Sequence, residues 1–194
     1  MKKIILMRHS IPERLKLPTE QLPLSEEGKE LARSKSEIFA NIDKCYTSSY
    51  KRAFETAQIL SRKPITMVDD LHERIVGEAR EDFWLKQYQD HDYHNPGGES
   101  LNMVRVRMKG AVDGILREMD DGNTALVVSH ATAICSYLLN FCKIQVADAE
   151  SKSRIITFGD QEVLHGKIKP LDCFEIAYKD DVVSVIRFCG RDYQ

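Results

Sequence analysis

The chain has 194 residues, 42% of them hydrophobic, which is enough for one substantial core, and its motifs are spread too evenly for two independent domains. The formal net charge of −2 is not typical of a protein that binds nucleic acid or an anionic membrane. No apolar run approaches transmembrane length, and the N-terminal one is too short for a secretory signal. Five cysteines without a CxxC pair are typical of reduced thiols in the cytoplasm. We therefore expect one cytoplasmic domain over residues 1–194.

Short apolar strands alternate with helical patterns along most of the chain. The patterns predict strands over about residues 3–8, 43–47, 65–68 and 124–129, and helices over about 25–40, 51–62, 79–92, 100–119 and 130–140. Such alternation is typical of a mostly parallel sheet covered by helices on both faces. Residues 173–178 and 182–188 predict a β-hairpin that supplies one antiparallel strand. The predicted fold class is α/β, a three-layer α/β/α sandwich.

Two of the predicted strands lead directly into a histidine. The first apolar run is followed by Arg8 and His9, and residues 125–128 form a buried strand pattern that is followed by His130. Ligands of open α/β sheets bind at the carboxyl ends of the strands, so these side chains are expected at one site. The planar guanidinium of arginine suits the dispersed charge of a phosphoryl group. The pattern therefore predicts a phosphate site.

A second arginine follows the strand-like segment 44–47. Residues 48–57 resemble a loop that runs into a helix capped by Ser48 or Ser49, with Arg52 in the first turn. Free N–H groups at a helix start favour anions, so Arg52 is expected to add to the same phosphate site. His9 in its neutral form is a suitable nucleophile for phosphorus, because imidazole has a reference pKa of about 6.5.

Each of these features alone also has a purely structural interpretation. Arg52 can be the ion-pair partner of Glu55 or Glu26, and Glu73 can be a solvated loop charge. Ser25 and Ser48 can be simple helix caps. The order of the motifs along the chain is what favours a shared functional role.

Six segments, in matching order, resemble the histidine phosphatase superfamily, also called the phosphoglycerate mutase-like family. They extend from residue 4 to about residue 140. One such match is weakly specific, whereas six in order are strong. The segments are the Arg8–His9 pair, residues 23–28 (PLSEEG), residues 48–57 (SSYKRAFETA), residues 71–73 (LHE, similar to the family's L-x-E acid motif), residues 96–100 (PGGES) and residues 127–130 (VVSH).

The resemblance implies a phosphoglycerate mutase-like fold and a metal-independent phosphomonoesterase. It implies that His9 becomes a phosphohistidine and that Arg8, Arg52 and His130 hold the phosphoryl oxygens. It implies further that Glu73 protonates the leaving oxygen and then activates water. Neither a metal nor an organic cofactor is implied. The expected partner is a small-molecule phosphate ester, with no nucleic acid and no membrane, and a homodimer is compatible with the sequence.

The chain departs from the family's commonest pattern at four positions. Ser10 and Ala131 replace the glycines that usually follow the two histidines, but both retain the backbone N–H, so we assign both to substrate binding. Their Cβ atoms narrow the approach of the backbone to a ligand. Pro12 and Leu15 stand where many members carry a hydroxyl residue and an asparagine. This difference disfavours mutase chemistry.

The aromatic stretch from residue 79 to residue 95 lies where the family often forms a lid. Glu78 and Glu81 lie beside or within this stretch and are rivals of Glu73 for the role of acid, and Glu99 is a weaker rival. His91 and His94 have a spacing compatible with metal binding but lack a third clear ligand, so we predict no metal site.

Three alternatives to a small-molecule phosphatase remain open at this point. The first is a phosphoglycerate mutase, and the second is a phosphatase acting on phosphohistidine in proteins. The third is a non-catalytic protein that binds a phosphorylated ligand, in which Ser10 and Ala131 have reduced turnover but not affinity.

Overall fold

The structure is a computed structural model that describes residues 1–190. The described chain contains nine strands and five α-helices, together with short 3-10 turns. The strands are β1 (Lys2–Arg8), β2 (Lys44–Thr47), β3 (Ile65–Met67), β4 (Thr124–Ser129), β5 (Lys143–Asp148), β6 (Ser153–Phe158), β7 (Gln161–Gly166), β8 (Cys173–Lys179) and β9 (Val182–Gly190). The helices are α1 (Glu26–Arg33), α2 (Lys51–Leu60), α3 (Phe83–Gln89), α4 (Leu101–Glu118) and α5 (Ala131–Leu138).

Six of the strands form the main sheet, in the order β3-β2-β4-β1-β8-β9. The first four strands of the chain are parallel to one another, and β8 is antiparallel to both β1 and β9. Asp180 and Asp181 connect β8 to β9 with φ values of 52° and 59°, the left-handed conformation that tight hairpin turns require. The predicted mostly parallel sheet with one antiparallel strand is confirmed.

Alternate residues of β1 contact helices on opposite faces of the main sheet. Ile4 and Leu6 belong to the core cluster that contains the buried faces of α4 and α5. Ile5 and Met7 belong to a second cluster, with the buried residues of α1 and α2. This alternation follows from the two-residue period of a strand, and it confirms the predicted three layers.

The parallel strands β1, β2 and β4 place the candidate functional segments at the edge of the sheet where their carboxyl ends lie. The carboxyl ends of β1 and β4 are in register, with Arg8 opposite Ser129. The backbone N–H of His9 donates to the Ser129 carbonyl (2.9 Å), and that of Ser48 donates to the Val128 carbonyl (3.0 Å). The ends of β1, β2 and β4 are therefore held together.

A second sheet, antiparallel and in the order β5-β6-β7, was not predicted. It contributes Ile144, Ile156 and Leu164 to the core cluster that also contains α4 and α5. The predicted helix over 79–92 is shorter in the structure, where α3 spans Phe83–Gln89. The predicted helix over 25–40 divides into α1 and a 3-10 turn at Ser36–Phe39.

Of the two predicted serine caps, the one at the start of α1 is present and the one at the start of α2 is not. Ser25 caps α1, because its Oγ accepts the Gly28 N–H (3.0 Å). The expected capping of α2 by Ser48 or Ser49 is wrong, since Tyr50 is the N-cap and no side chain caps it. Among residues 1–190, no helix has both the length and the apolar character needed to cross a membrane.

Candidate active site

The side chain of His9 is buried at the end of β1, with 5% of its surface exposed. Its Nδ1 lies 2.6 Å from the Ser10 carbonyl oxygen, to which it donates, and its Nε2 accepts a hydrogen bond from Arg52 Nε (3.0 Å). Burial, and then the charges of Arg52 and Arg8, lower the pKa of His9 to about 3. The imidazole is therefore neutral near neutrality, with its proton on Nδ1 and its lone pair on Nε2.

Arg52 joins the two histidines of the site. Besides its bond to His9, it donates through Nη2 to His130 Nδ1 (3.2 Å) and through Nη1 to the Thr19 carbonyl. Its guanidinium also lies over the Tyr50 ring, 5.1 Å from the centroid. It pairs with neither Glu55 nor Glu26 in the described chain: Glu55 accepts the Leu24 N–H, and Glu26 pairs with Lys29. Its positive charge therefore faces the histidines.

His130 is the N-cap residue of α5 and is fully buried. Because its Nδ1 accepts from Arg52, its Nε2 carries the proton and donates to Ser48 Oγ (3.0 Å). Its ring centroid lies 5.0 Å from that of His9. Burial, followed by repulsion between the protonated forms of His130 and His9 and by the charge of Arg52, lowers the pKa of His130 well below its usual value. The site therefore holds two neutral imidazoles around one guanidinium.

Glu73 lies at the start of α5, next to His130. One carboxylate oxygen accepts the N–H groups of Arg74 (2.8 Å) and Ala133 (3.0 Å), and the other accepts that of Thr132 (3.3 Å). The free N–H groups at a helix N-terminus favour a negative charge. Glu73 is thus placed in the site rather than in a solvated loop.

The rival glutamates occupy different places. Glu78 and Glu81 are exposed. Glu99 forms an ion pair with Arg107 (2.7 Å) and accepts the Ile75 N–H (2.9 Å). Its carboxylate therefore has a structural role.

Arg107 is a site-supporting residue that the sequence analysis missed. Its Nη1 donates to the carbonyls of Asp70 (2.7 Å) and His72 (3.0 Å), and its Nε binds Glu99. These bonds tie the segment that carries Glu73 to α4. No motif indicates this role, because charged residues make up 30% of the chain and one arginine on a helix is unremarkable among them.

The two residues that replace glycines differ in what their N–H groups bind. The Ser10 N–H donates to Thr56 Oγ1 (3.0 Å), and its hydroxyl donates to the Gly28 carbonyl (2.7 Å). Both the N–H and the hydroxyl of Ser10 therefore bind groups inside the protein, which differs from the predicted contact with substrate. Ala131 is the first residue of α5, directly after His130, and it lines a cavity.

This cavity has a volume of about 350 Å³ and is lined in part by Arg8, Glu73, Ala131 and Thr132. Arg8 Nη1 donates to the Ile168 carbonyl (2.5 Å). We call this 350 Å³ space the substrate cavity. His91 and His94 lie outside its lining, and within residues 1–190 no group of three or more His, Cys, Asp or Glu side chains is arranged to hold a metal ion.

Comparison with known proteins decides the family. The family model for the histidine phosphatase superfamily (branch 1) matches residues 4–153. The chain belongs to this superfamily. A search of curated protein sequences gives no significant match.

Solved structures of this histidine phosphatase fold are similar over nearly the whole chain. A mycobacterial glucosyl-3-phosphoglycerate phosphatase with VO3 has a TM-score of 0.73 at 17% identity, covering 97% of this chain and 97% of that one. A phosphoglycerate mutase from Bacillus anthracis str. Sterne has a TM-score of 0.70 at 19% identity, with coverages of 98% and 94%. A mutant phosphoserine phosphatase from Entamoeba histolytica, in complex with phosphoserine, has a TM-score of 0.69 at 18% identity, with coverages of 100% and 99%. At these identities the likeness establishes the fold alone.

Proposed function

We propose that this protein is a metal-independent phosphomonoesterase that hydrolyses a small phosphorylated metabolite through a phosphohistidine on His9. The observation that carries the proposal is the state of His9: a buried, neutral imidazole whose Nε2 lone pair lies 3.0 Å from the guanidinium of Arg52. A nucleophile and a phosphate-binding group are thus adjacent. Membership of the superfamily and the two phosphatases among the similar structures support the same activity.

In the first half of the proposed reaction, His9 Nε2 attacks phosphorus and the bond from phosphorus to the ester oxygen breaks. This attack requires that the hydrogen bonds from Arg52 to His9 and His130 are first exchanged for bonds to phosphoryl oxygens. Arg8 and His130 bind further oxygens, His130 through a ring nitrogen. Because catalysis of phosphoryl transfer depends mainly on position and charge, this cluster supplies most of what the step requires.

Glu73 handles the protons in both halves of the proposed reaction. A carboxyl beside a bound phosphate is favoured in its protonated form by the like charge, so it can protonate the departing alkoxide. The resulting carboxylate then takes a proton from water as that water attacks the phosphohistidine. Phosphate leaves, and His9 returns to its neutral form. The bond from Thr132 to Glu73 is the longest of the three at 3.3 Å, which leaves that oxygen most available for the proton.

The proposal is tested by trapping the intermediate. Wild-type protein is mixed briefly with 32P-labelled phosphate ester in EDTA and quenched without acid. We expect an acid-labile, alkali-stable phosphoenzyme and saturable hydrolysis of p-nitrophenyl phosphate, both of which His9→Ala abolishes.

His165→Ala is the matched control, because His165 on β7 is exposed, lies beside Glu162 at the surface and does not line the substrate cavity. It is expected to behave as wild type. Label retained in His9→Ala would show that the nucleophile is another residue. Tight binding of phosphate esters without any hydrolysis would instead identify a non-catalytic binding protein.

A further inference from the structure

The substrate cavity carries much more positive charge than the protein as a whole. The chain has a net charge of −2, whereas the cavity lining contains five cationic side chains and a single carboxylate, that of Glu73. Arg8 is assigned above to the phosphoryl group. The proposed reaction makes no use of the other four cations, which are Arg74, Lys152, Arg154 and Lys167.

Arg154 is a buried cation held in an aromatic setting. With 5% of its surface exposed, it donates through Nε to the Tyr88 hydroxyl (2.7 Å), and its guanidinium lies 5.3 Å from the Trp84 ring centroid and 5.4 Å from that of Tyr88. Within residues 1–190 it has no carboxylate partner, and its two terminal nitrogens have no protein acceptor. The rings and the Tyr88 hydroxyl fix the orientation of a guanidinium whose donors remain available to an anion.

Arg74, which follows Glu73 in the chain, is a second buried cation of the lining, and its guanidinium lies 5.6 Å from the Phe83 ring centroid. It is 4% exposed, and its Nε donates to the Glu99 carbonyl (2.6 Å) while its Nη1 donates to Gln87. Its Nη2 is buried and has no hydrogen-bond partner in the described part of the chain. A buried donor without a partner is costly, so its retention here points to a ligand acceptor.

Lys152 and Lys167 complete the cluster from the end of the second sheet. Arg154 on β6 is paired with Gly166 on β7, so the residues just outside this pair lie at the same end of the sheet. Both lysines are exposed, and neither forms an ion pair with an acidic residue of the described chain. The second sheet thus presents three cations to the cavity.

We propose that Lys152, Arg154 and Lys167, together with Arg74, form a second anion subsite, and that the substrate is a phosphomonoester whose organic part carries a second anionic group. Carboxylates and phosphates are both ligands that guanidinium forks and ammonium groups bind well. The inference rests on the proposed function, since it names the substrate class of the same site. The products would be inorganic phosphate and an alcohol that retains its anionic group.

The first experiment uses substrates that differ in one group. Glycerol 3-phosphate, 3-phosphoglycerate and glycerol 1,3-bisphosphate share a three-carbon skeleton and carry a hydroxyl, a carboxylate or a second phosphate at the far carbon. We expect kcat/KM for phosphate release to be at least tenfold higher for one of the two doubly anionic compounds than for glycerol 3-phosphate, and the better one identifies the anion. Equal values for all three would overturn the proposal.

The second experiment removes the two exposed cations, which do not hold the fold together. The double variant Lys152→Gln/Lys167→Gln is expected to lose at least tenfold in kcat/KM on the preferred doubly anionic substrate, mainly through KM, and less than twofold on glycerol 3-phosphate. Lys169→Gln is the matched control, because Lys169 is an exposed lysine near Lys167 that does not line the cavity. Equal losses of the double variant on both substrates would overturn the subsite.

A binding measurement separates this inference from the proposed function. If no compound is hydrolysed, the phosphatase proposal fails, and calorimetric titration of the same three compounds still tests the subsite. Tighter binding of a doubly anionic compound, lost in the double variant, would support it. Equal dissociation constants for the three compounds would refute it.

Discussion

Two histidines and one arginine form the hydrogen-bonded centre of the candidate site, and their bonds determine which ring nitrogens carry a proton. The backbone carbonyl of Ser10 fixes the proton of His9 on Nδ1, and Ser48 fixes that of His130 on Nε2. The sequence could predict the convergence of these residues, because each follows a strand or begins a helix. It could not predict the tautomers, because His9 Nε2 and both ring nitrogens of His130 bind partners more than 40 positions away in the chain.

We expect that the ammonium group of lysine cannot replace the planar guanidinium of Arg52. In Arg52→Lys a single ammonium cannot contact both His9 and His130, so we expect kcat/KM on p-nitrophenyl phosphate to fall more than about tenfold. Arg62→Lys is the control, because Arg62 is 67% exposed and pairs only at the surface with Glu37. Near wild-type kinetics for Arg52→Lys would show that the guanidinium of Arg52 does not stabilise the transition state.

The role of Glu73 is tested through the leaving group. We expect Glu73→Gln to reduce kcat/KM on glycerol 3-phosphate by roughly 10² to 10⁴, the range of general acid catalysis. The loss on p-nitrophenyl phosphate is expected to be far smaller, because the phenolate leaves without a proton.

The exposed Glu78 and Glu81 provide the controls for this measurement. Glu78→Gln and Glu81→Gln are expected to keep the wild-type ratio of the two activities. Equal losses on both substrates in Glu73→Gln, or a loss that depends on the leaving group in either control, would contradict the assignment of the acid.

The entry into helix α1 depends on a close backbone approach that only glycine permits. A Cβ at Gly28 would lie 2.1 Å from the Ile11 carbonyl oxygen, and that same oxygen accepts the Ser25 N–H (3.0 Å). The family motif around residues 23–28 identified the helix start correctly. It did not reveal that the Gly28 carbonyl also accepts the Ser10 hydroxyl behind the first histidine.

Two glycine substitutions, which are expected to change the free energy of unfolding in opposite directions, test this contact. Gly28→Ala is expected to lower the free energy of unfolding by about 2 kcal/mol or more, because the methyl group overlaps backbone atoms. Gly110→Ala, in the exposed part of α4 with nothing within 4 Å, is expected to raise it by up to about 1 kcal/mol. Urea denaturation of both variants measures the two changes, and equal stabilities would show that α1 can shift to relieve the overlap.

The second sheet is the element that sequence patterns did not reveal. Its strands alternate only weakly: a single residue of β5 and a single residue of β7 are buried, Ile144 and Leu164. Polar or partly exposed neighbours surround them, so the period of two that indicates a strand is faint over residues 143–166. The long buried runs of β1 and β4 were predictable for the opposite reason.

The burial of two neutral histidines couples the stability of the protein to pH. The pKa of His9 is lowered from 6.5 to about 3, so between these values the unfolded chain binds more protons than the folded one. The contribution of His9 to stability is therefore fully present above pH 6.5 and is lost as the pH falls toward 3. The lowered pKa of His130 acts in the same direction.

We expect this coupling to appear in denaturation at pH 7 and pH 5. The slope for one such group is at most about 1.4 kcal/mol per pH unit, so the wild type is expected to lose about 1 to 2 kcal/mol more than His9→Gln over this interval. His165→Gln, which changes an exposed histidine, is expected to lose as much as the wild type. The same loss in wild type and His9→Gln would show that His9 is not neutral and buried in solution.

The hydrogen bond from Arg52 Nε to His9 Nε2 also concerns side reactions. A lone pair that is occupied by a guanidinium is shielded from acylating and alkylating agents in the cell, although its imidazole is unprotonated at every physiological pH. A phosphate dianion can draw the arginine to itself and so uncover the nitrogen that attacks it. In the unliganded protein His9 is therefore expected to react slowly with other electrophiles. It becomes nucleophilic only toward a phosphate ester that binds Arg52 and so frees the lone pair.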